Sequence, residues 1–301
     1  MLAAGDLVFL WSPAKGDSFL VRLNPGSSQG SHLGQMKHED IMALDYGDVI
    51  LTNRGEPFFI LKPAIGEYTR RIKRQTQVIF PKDSGFIIQH LNFGPGATIV
   101  ECGTGSGGLT SVFAHFVGDE GRVVTYDRRE EFSKLAESNV ERWGVRHRVE
   151  FKVRDMREGF DERDADAVFL DVQNPWEFIG IAHAALAGGR RLGILVPTFN
   201  QIERTLVALQ EHGFVDVQVL ELLMRYYKTD PRRIRPDDTM TAHTGFLIFA
   251  AKAKPLPEGV ETVYPARARR GAEREDETAP PGDVAGETAA DAQAAKTADE
   301  G

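Results

Sequence analysis

The alternation of apolar strands with helical stretches between residues 84 and 251 constrains the fold of this 301-residue chain most strongly. Five apolar segments have the length and composition of buried strands, and a stretch with helical periodicity accompanies each of them. Such alternation predicts a doubly wound α/β domain, in which a parallel sheet carries helices on both faces. The predicted strands are 97–101, 122–126, 149–153, 165–170 and 190–196, and the predicted helices are 84–92, 107–117, 129–142, 175–186 and 200–212.

The end of this domain departs from the alternation. Two further strand-like runs, 214–221 and 244–251, lie close in order with no full helix between them. Parallel neighbours need a crossover connection, whereas antiparallel strands do not. We therefore expect an antiparallel strand at the edge of the sheet.

A small β domain precedes the alternating region. Residues 5–65 contain four short apolar runs with turn residues between them, which predict strands at 7–11, 18–23, 49–52 and 57–61. After residue 254 apolar periodicity stops, and Pro, Ala, Gly, Glu and Thr dominate, so we expect disorder there. The predicted organisation is an N-terminal β domain at 1–66, a basic linker at 67–83, the α/β domain at 84–254 and an acidic tail at 255–301.

Charge and composition exclude several classes of protein. The formal net charge is −8, but residues 271–301 contribute −7 of it, so the remaining chain is nearly neutral and can carry a local basic face. Cys102 is the only cysteine, which excludes a disulfide framework and a cysteine-based zinc site, and we expect no metal. No apolar run reaches the roughly 20 residues that span a bilayer. A secretory signal begins with a basic region, and residues 1–10 contain no basic residue. A cytoplasmic protein with no membrane partner is expected.

The strongest motif is a glycine-rich segment, ECGTGSGGL at residues 101–109, between a buried strand and a helix. Glycine allows positive φ and a close approach of the backbone to a ligand, and ligands of such sheets bind outside the carboxyl ends of the strands. The spacing G-x-G-x-G differs from the G-x-G-x-x-G of dinucleotide-binding folds. It suits a zwitterionic amino-acid moiety, which needs backbone contacts and no pyrophosphate cradle. The alternative is a tight turn without a ligand.

Acidic residues end three successive strands of the predicted sheet. Asp127 follows the glycine segment by about 20 residues, where an acid can accept hydrogen bonds from both ribose hydroxyls. Asp155 ends the third strand, where an acid can accept from an adenine amino group. Asp171 ends the fourth strand. In this architecture that position lies between a bound cofactor and the molecule that accepts a group from it. For Asp171 the alternative is a helix N-cap ahead of Pro175.

Three motifs in this order resemble the TrmI-type tRNA adenine-N1 methyltransferases, which methylate the adenine at position 58 in the T loop. The motifs are RQTQVIFPKD at 74–83, ECGTGSGGLT at 101–110 and LD at 170–171 followed by PWE at 175–177. The resemblance extends over about residues 5–252. It implies a Rossmann-like class I methyltransferase sheet, S-adenosylmethionine as cofactor, tRNA as partner and a homotetramer.

The resemblance also implies roles for individual residues. Asp171 would be the catalytic acid that faces the acceptor. The methionine part of the cofactor would contact the glycine segment, its ribose would bind Asp127, and its adenine would bind Asp155 and Met156. The full set of implied cofactor contacts is Glu101, Gly103, Gly105, Ser106, Gly107, Gly108, Leu109, Asp127, Arg128, Phe132, Asp155, Met156 and Asp171.

Candidate contacts to RNA combine basic and aromatic residues. The basic run at 70–74 could contact phosphates, although it could equally be a solvated linker. Phe80, Trp176 and Phe199 could each stack on the target base or belong to the core. The candidate RNA residues are Arg70, Arg71, Lys73, Arg74, Phe80, Gln201 and His243.

The favoured mechanism is direct displacement, in which adenine N1 attacks the methyl group while Asp171 accepts a hydrogen bond from the N6 amino group. The target base must first leave its folded RNA context. Two departures from the family stand out: Phe80 replaces a tyrosine of several relatives, and NPW at 174–176 faintly resembles the loop of amino-methylating enzymes. Methylation of an exocyclic amine therefore stays open.

Two further alternatives belong to other classes. A methyltransferase could act on another RNA, a protein or a small molecule, against which the basic run at 70–74 and the β domain argue weakly. A non-catalytic tRNA-binding subunit could keep the fold and lose the cofactor. The intact glycine segment and the three strand-end acids argue against that.

Overall fold

The computed structural model describes residues 1–14 and 16–257. Met1–Lys254 form one compact unit, and the predicted boundaries at residues 66 and 83 fall inside it and stay a prediction. The predicted disorder of the acidic tail falls almost entirely on residues 258–301, which lie outside the described residues. Within the described part of the chain, no helix is long and apolar enough to cross a membrane.

The N-terminal part of the chain forms a four-stranded antiparallel sheet with the strand order β2-β1-β6-β5. One face of this sheet is buried beneath a hairpin and a short helix that the sequence pattern did not predict. The hairpin was missed because its strands are polar and only four residues long. The elements are β1 (Leu7–Trp11), β2 (Ser18–Arg22), β3 (Ser28–Ser31), β4 (Gly34–Lys37), α1 (His38–Met42), β5 (Val49–Leu51) and β6 (Pro57–Leu61).

The rest of the described chain forms a seven-stranded, mostly parallel sheet with helices on both faces, which confirms the predicted Rossmann-like fold class. The elements are α2 (Ile65–Thr69), α3 (Pro81–Leu91), β7 (Thr98–Cys102), α4 (Gly108–Val117), β8 (Arg122–Asp127), α5 (Glu130–Trp143), β9 (Val149–Val153), β10 (Ala165–Leu170), α6 (Ile179–Ala185), β11 (Leu186–Val196), α7 (Phe199–Glu211), β12 (Phe214–Leu220), β13 (Tyr227–Lys228), β14 (Arg235–Pro236) and β15 (Phe246–Lys252). The strand order of the large sheet is β12-β15-β11-β10-β7-β8-β9, and β13 pairs with β14 outside it.

The predicted position of the antiparallel strand was wrong. β15 is antiparallel, but it lies between β11 and β12 and pairs with both, so that β12 forms the edge. Burial explains the order. β15 contains four consecutive buried residues, Leu247–Ala250, and needs cover on both faces, whereas β12 exposes Val215 and Val219.

Two predicted helix boundaries also differ from those in the structure. α3 begins at Pro81 and not at residue 84, because proline suits the first position of a helix. The predicted helix 175–186 is a 3₁₀ turn at Pro175–Phe178 followed by α6, and β11 starts directly after it at Leu186.

The N-terminal sheet is fixed to the larger sheet through the end of α5. The Arg22 guanidinium donates to the carbonyl oxygens of Glu141 and Arg142 in the last turn of α5. A cation is favourable at that end of a helix, where carbonyl groups lack partners. The buried Tyr68 hydroxyl donates to the carbonyl of Asn139 in the same helix. These contacts hold the segment that follows β6 close to the glycine-rich loop.

Candidate active site

Two adjoining cavities lie at the carboxyl edge of the parallel strands. The first has a volume of about 260 Å³ and is lined by the glycine-rich loop, and we name it the glycine-loop cavity. The second has a volume of about 300 Å³, and we name it the arginine cavity after Arg128, Arg129, Arg154 and Arg157 in its walls. Both cavities are lined by Gly103, Asp127, Arg129 and Asp171. Together they form one cleft of the size that small cofactors occupy.

The glycines of the loop serve two different purposes. A Cβ atom on Gly103 would lie 2.0 Å from the carbonyl oxygen of Asp171, and one on Gly107 would lie 2.8 Å from Ala136 in α5. Both glycines have positive φ, so the loop requires them for packing inside the protein. Gly103, Gly105 and Gly108 also line the glycine-loop cavity, whereas Gly107 does not. A Cβ atom on Gly108 would lie 2.5 Å from Val78, and one on Gly105 would lie 3.1 Å from the Thr76 hydroxyl oxygen, so both glycines let residues 76–79 pack closely over the loop.

Glu101 is a buried carboxyl group behind the loop. It accepts hydrogen bonds from the Thr110 hydroxyl at 2.5 Å and the Thr125 hydroxyl at 2.7 Å. The pKa of Glu101 is raised to about 8, mainly by burial; the Thr110 and Thr125 hydroxyls oppose this rise, and the charges of Asp171 and Asp127 contribute to it. Glu101 lines the glycine-loop cavity, so the carboxyl group is fixed at the place where the resemblance implies a cofactor contact.

Asp127 is held rigidly at the end of β8. One carboxylate oxygen accepts from the Gly105 backbone N–H at 3.1 Å, and the other accepts from the Arg129 backbone N–H at 3.0 Å. The residue is only 7% exposed, and it lines both cavities. Each oxygen keeps a lone pair, so the carboxylate can accept two further bonds from a vicinal diol.

The arginine cavity contains most of the remaining residues that the resemblance implies as cofactor contacts. Asp155, Met156 and Arg128 all line the arginine cavity. The Asp155 carboxylate caps the following 3₁₀ turn through the Arg157 backbone N–H at 2.9 Å. Phe132 does not line either cavity; its ring lies 3.6 Å below the Arg129 guanidinium, so it supports a wall of the cleft.

Asp171 stands where the two cavities meet. The 3₁₀ turn after β10 begins at Pro175, and none of its backbone N–H groups, nor any other donor in the described residues, bonds to the Asp171 carboxylate. The helix-cap interpretation is therefore wrong. Burial raises the pKa of Asp171 to about 6. The carboxylate is partly exposed to the cleft and accepts no hydrogen bond from the described residues, so it is available to a ligand.

A segment that the sequence pattern did not place at the site closes over the glycine loop. Residues 76–79 line the glycine-loop cavity, although they lie in the predicted basic linker. The Ser106 hydroxyl accepts from the backbone N–H groups of Gln75 and Thr76, and the Asn139 side chain donates to the carbonyls of Lys73 and Ser106. Ser106 therefore holds a lid segment in addition to lining the cavity. The missed signal was the apolar run Val78-Ile79-Phe80 inside the basic segment.

The basic side chains at 70–74 lie on two different parts of the protein. Arg70, Arg74 and Phe80 line a third cavity of about 570 Å³ beside the cleft. Arg71 instead lies against the N-terminal sheet, where its guanidinium donates to the Ser18 hydroxyl at 2.7 Å and lies 5.0 Å from the Phe9 ring centre. The structure thus brings three of the RNA candidates together and separates Arg71 from them. Lys73 lines none of the three cavities.

The two remaining RNA candidates connect loops at the same edge of the sheet. The Gln201 amide donates to the Gln173 carbonyl at 2.9 Å, which joins α7 to the loop of Asp171. His243 bonds to Glu221 at 2.7 Å and to the Pro197 carbonyl at 3.1 Å, and both contacts raise its pKa.

The aromatic candidates differ in exposure. Trp176 packs against the core, whereas Phe199 is 74% exposed.

Comparison with known proteins agrees with this site. The family of the tRNA methyltransferase complex GCD14 subunit matches residues 57–241. A tRNA (adenine(58)-N(1))-methyltransferase TrmI from Thermus thermophilus is 32% identical over 241 residues, which covers 80% of this chain and 94% of that protein. The chain belongs to this family. Another member, from Methanocaldococcus jannaschii, is 32% identical over 269 residues and is named a tRNA (adenine(57)-N(1)/adenine(58)-N(1))-methyltransferase TrmI.

Solved structures of family members and related methyltransferases share the fold. The tRNA (m1A58) methyltransferase TrmI from Aquifex aeolicus has a TM-score of 0.74 and 32% identity, covering 84% of this chain and 99% of its own. A SAM-dependent O-methyltransferase from Thermotoga maritima has a TM-score of 0.81 and 43% identity, covering 85% of this chain and 96% of its own.

The cleft of this family member fits S-adenosylmethionine. The glycine-rich loop lines the methionine side, the Asp127 carboxylate has free lone pairs for a ribose diol, and Met156 provides an apolar contact for a base. Among the described residues, no group of three or more His, Cys, Asp or Glu could hold a metal ion.

Proposed function

We propose that this enzyme transfers the methyl group of S-adenosylmethionine to N1 of adenine 58 in the T loop of tRNA. One observation carries the proposal: the Asp171 carboxylate stands at the junction of the two halves of the cofactor cleft in a chain of this family, and no side chain or backbone N–H of the described residues bonds to it. A carboxylate in that place suits an acceptor that presents a hydrogen-bond donor beside its nucleophilic atom, as adenine does with N6 and N1.

S-adenosylmethionine supplies a sulfonium methyl group that an in-plane nitrogen lone pair can displace. The residues of this chain bind and orient the reactants. Asp127 accepts from the ribose, the glycine-rich loop lines the space for the amino-acid end, and Asp171 accepts from the adenine N6 amino group. The negative charge of Asp171 also stabilises the positive charge that develops on the adenine ring, so its contribution is largest in the transition state. The RNA must present the base extruded from its stack.

Incubation with labelled cofactor and an unmodified tRNA transcript, followed by nucleoside analysis, tests the proposal. We expect 1-methyladenosine as the product and no transfer to a transcript with guanine at position 58. A label in N6-methyladenosine would instead support exocyclic amine methylation. A label in a 2′-O-methylnucleoside would support an oxygen acceptor, as the name of the Thermotoga maritima O-methyltransferase suggests for that protein. Absence of transfer with intact tRNA binding would support a non-catalytic subunit.

The proposal includes the partners and the location of the enzyme. We infer a homotetramer that binds tRNA in the cytoplasm, as membership of the TrmI-type family implies; the match covers 94% of the relatives named TrmI. The related chain from Eremothecium gossypii is named a catalytic subunit. Sedimentation of the purified full-length chain tests the assembly: a tetramer from this chain alone supports the inference, and a monomer contradicts it.

A further inference from the structure

The third cavity, which we name the outer cavity, lies directly beside the cofactor cleft. Its volume of about 570 Å³ exceeds that of either half of the cleft, and its walls come from residues 69–82 and 224–241. It shares Val78 and Ile79 with the glycine-loop cavity, so these side chains separate the two spaces. Within the described part of the chain, neither Asp171 nor its loop lines the outer cavity. A base in this cavity is therefore not the base that Asp171 binds.

The apolar lining of the outer cavity suits a flat aromatic ligand. Phe80, Met224, Tyr226 and Met240 all line it, and each is more than a third exposed. Aromatic side chains stack on nucleobases without regard to sequence, and methionine adapts to irregular flat partners. Large apolar side chains that cluster around an open cavity indicate a binding site more often than chance exposure does.

The cations of the outer cavity lie on one wall. The Arg70 guanidinium donates one N–H group to the Tyr226 hydroxyl at 2.7 Å, and its other N–H groups can donate to a ligand. Arg74 makes no hydrogen bond or ion pair through its side chain with the described residues. Lys82 is not available, because it is buried and bonded to Asp83 at 2.7 Å. Among the described residues that line the outer cavity, Arg70 and Arg74 are thus the cations that can bind a phosphate.

The two walls of the outer cavity are tied together at its base. Lys82 and Asp83, at the start of α3, both bond to the Thr244 hydroxyl, at 2.6 Å and 2.9 Å. Thr244 follows the second wall by three residues. Because the ion pair and the hydroxyl form a closed, buried triangle, the separation of the walls is fixed before a ligand enters.

We propose that the outer cavity binds a nucleotide adjacent to the methylated adenosine in the same RNA strand. Its base packs against Met240 and Tyr226, and its phosphate binds Arg70 and Arg74. The inference rests on the proposed function, because the adjacent nucleotide follows from an adenosine held at Asp171. Binding of this neighbouring nucleotide explains how an extruded adenosine is kept in place, because the RNA strand on one side of the adenosine is also bound to the protein. It also assigns a role to residues 224–241, which have no part in the cofactor cleft.

Abasic substrates test the proposal in combination with cavity variants. Transcripts carry an abasic nucleotide at position 57 or at position 59, and kcat/KM is measured with the full-length enzyme. In the wild type, one of the two substitutions should reduce kcat/KM by about 5- to 150-fold, the usual effect of losing one stacked base. In the Tyr226→Ala, Met240→Ala double variant, the intact transcript should already show that loss, and the abasic nucleotide should add little.

Tyr227→Ala is the matched control, since Tyr227 is about as exposed as its neighbour but does not line the outer cavity. It should keep the full abasic effect. If the double variant also keeps it, or if neither abasic position matters in the wild type, the inference is wrong while methylation of A58 stands. A change in sedimentation of the double variant, with the abasic effect retained, would make the cavity a contact between subunits and would also overturn it. Failure of the wild type to methylate the intact transcript would reject the proposed function itself.

Discussion

At the scale of single residues, two acids of the cleft differ in their surroundings although both end a strand. Asp127 accepts two backbone hydrogen bonds, whereas the Asp171 carboxylate accepts none within the described chain. The backbone donors fix the direction of the Asp127 carboxylate. Asp171 keeps its acceptor capacity for a ligand, with a pKa raised to about 6 by burial. This contrast predicts different kinetic effects of removing them.

Asp171→Ala should lower kcat and kcat/KM together, by about 10²- to 10³-fold, because its contact strengthens as charge develops on the acceptor. Asp127→Ala should act mainly on the KM for S-adenosylmethionine, since it holds the ribose in ground and transition states alike. Steady-state kinetics on unmodified tRNA measures both. A nearly normal kcat for Asp171→Ala would remove this residue from the mechanism.

The pH dependence of the methylation rate should report the ionisation of Asp171. The carboxylate is the competent form, and a raised pKa means that it is protonated at higher pH than an ordinary aspartate. The rate should therefore be constant above about pH 7 and fall below about pH 6, by about tenfold for each further unit. Single-turnover rates between pH 5 and pH 8 test this. Asp171→Asn should be slower and should lose that inflection; an unchanged inflection in this variant would assign it to another group.

At the scale of elements, the start of α3 depends on a buried ion pair. The side chains of Lys82 and Asp83 are 8% and 3% exposed, and Thr244 ahead of β15 bonds to both. Removing one charge from such a pair leaves the other buried without a partner, which costs more than removing both. The pair therefore connects α3 and β15 only while it is complete.

Lys82→Met should lower the free energy of unfolding by about 3–5 kcal/mol, as expected for a buried charge that loses its partner. The double variant Lys82→Met, Asp83→Leu should recover much of that loss. Urea denaturation followed by circular dichroism measures both. Lys134→Met is the control, because Lys134 forms an exposed pair with Glu130 one helical turn away, and its loss should cost about 0.5 kcal/mol or less. Equal stability of the single and double Lys82 variants would contradict this account.

At the scale of the whole molecule, charge is distributed so that an acidic protein can bind a polyanion. Arg70 and Arg74 face the outer cavity beside the cleft, and Arg71 contacts the N-terminal sheet instead. A few cations at the mouth of the site suffice for steering, since local potential and not net charge governs the approach of RNA. The acidic residues that dominate the net charge lie mostly beyond residue 270.

Arg70→Gln together with Arg74→Gln should weaken tRNA binding and make the slope of log K against log salt shallower by about 1–2, because each phosphate contact releases counterions. Binding titrations between low and moderate salt measure the slope. Arg122→Gln changes an exposed arginine at the amino end of β8, away from the cleft, and should leave the slope unchanged. A slope unaffected by the double substitution would show that these arginines do not contact phosphate.

The sequence by itself determined the α/β fold and the cofactor edge. Strand–helix alternation is a local periodicity that predicts the layers, and residues such as Asp127 and Asp171 lie on one edge because parallel strands end on the same side. The family motifs at 74–83, 101–110 and 170–177 added the acceptor and the reaction. These features could be predicted because each depends on residues close together in the chain.

Only the tertiary structure decided how distant segments meet. The placement of β15 between β11 and β12 follows from competition for burial between two strands, which neither strand's own pattern records. The lid at 76–79 and the outer cavity arise where residues more than 25 positions apart come into contact, as Thr76 does with Ser106 and Arg70 with Tyr226. Such contacts are set by the packing of whole elements and leave no periodicity in the sequence. The sequence therefore specified the cofactor cleft, and the fold created the space beside it.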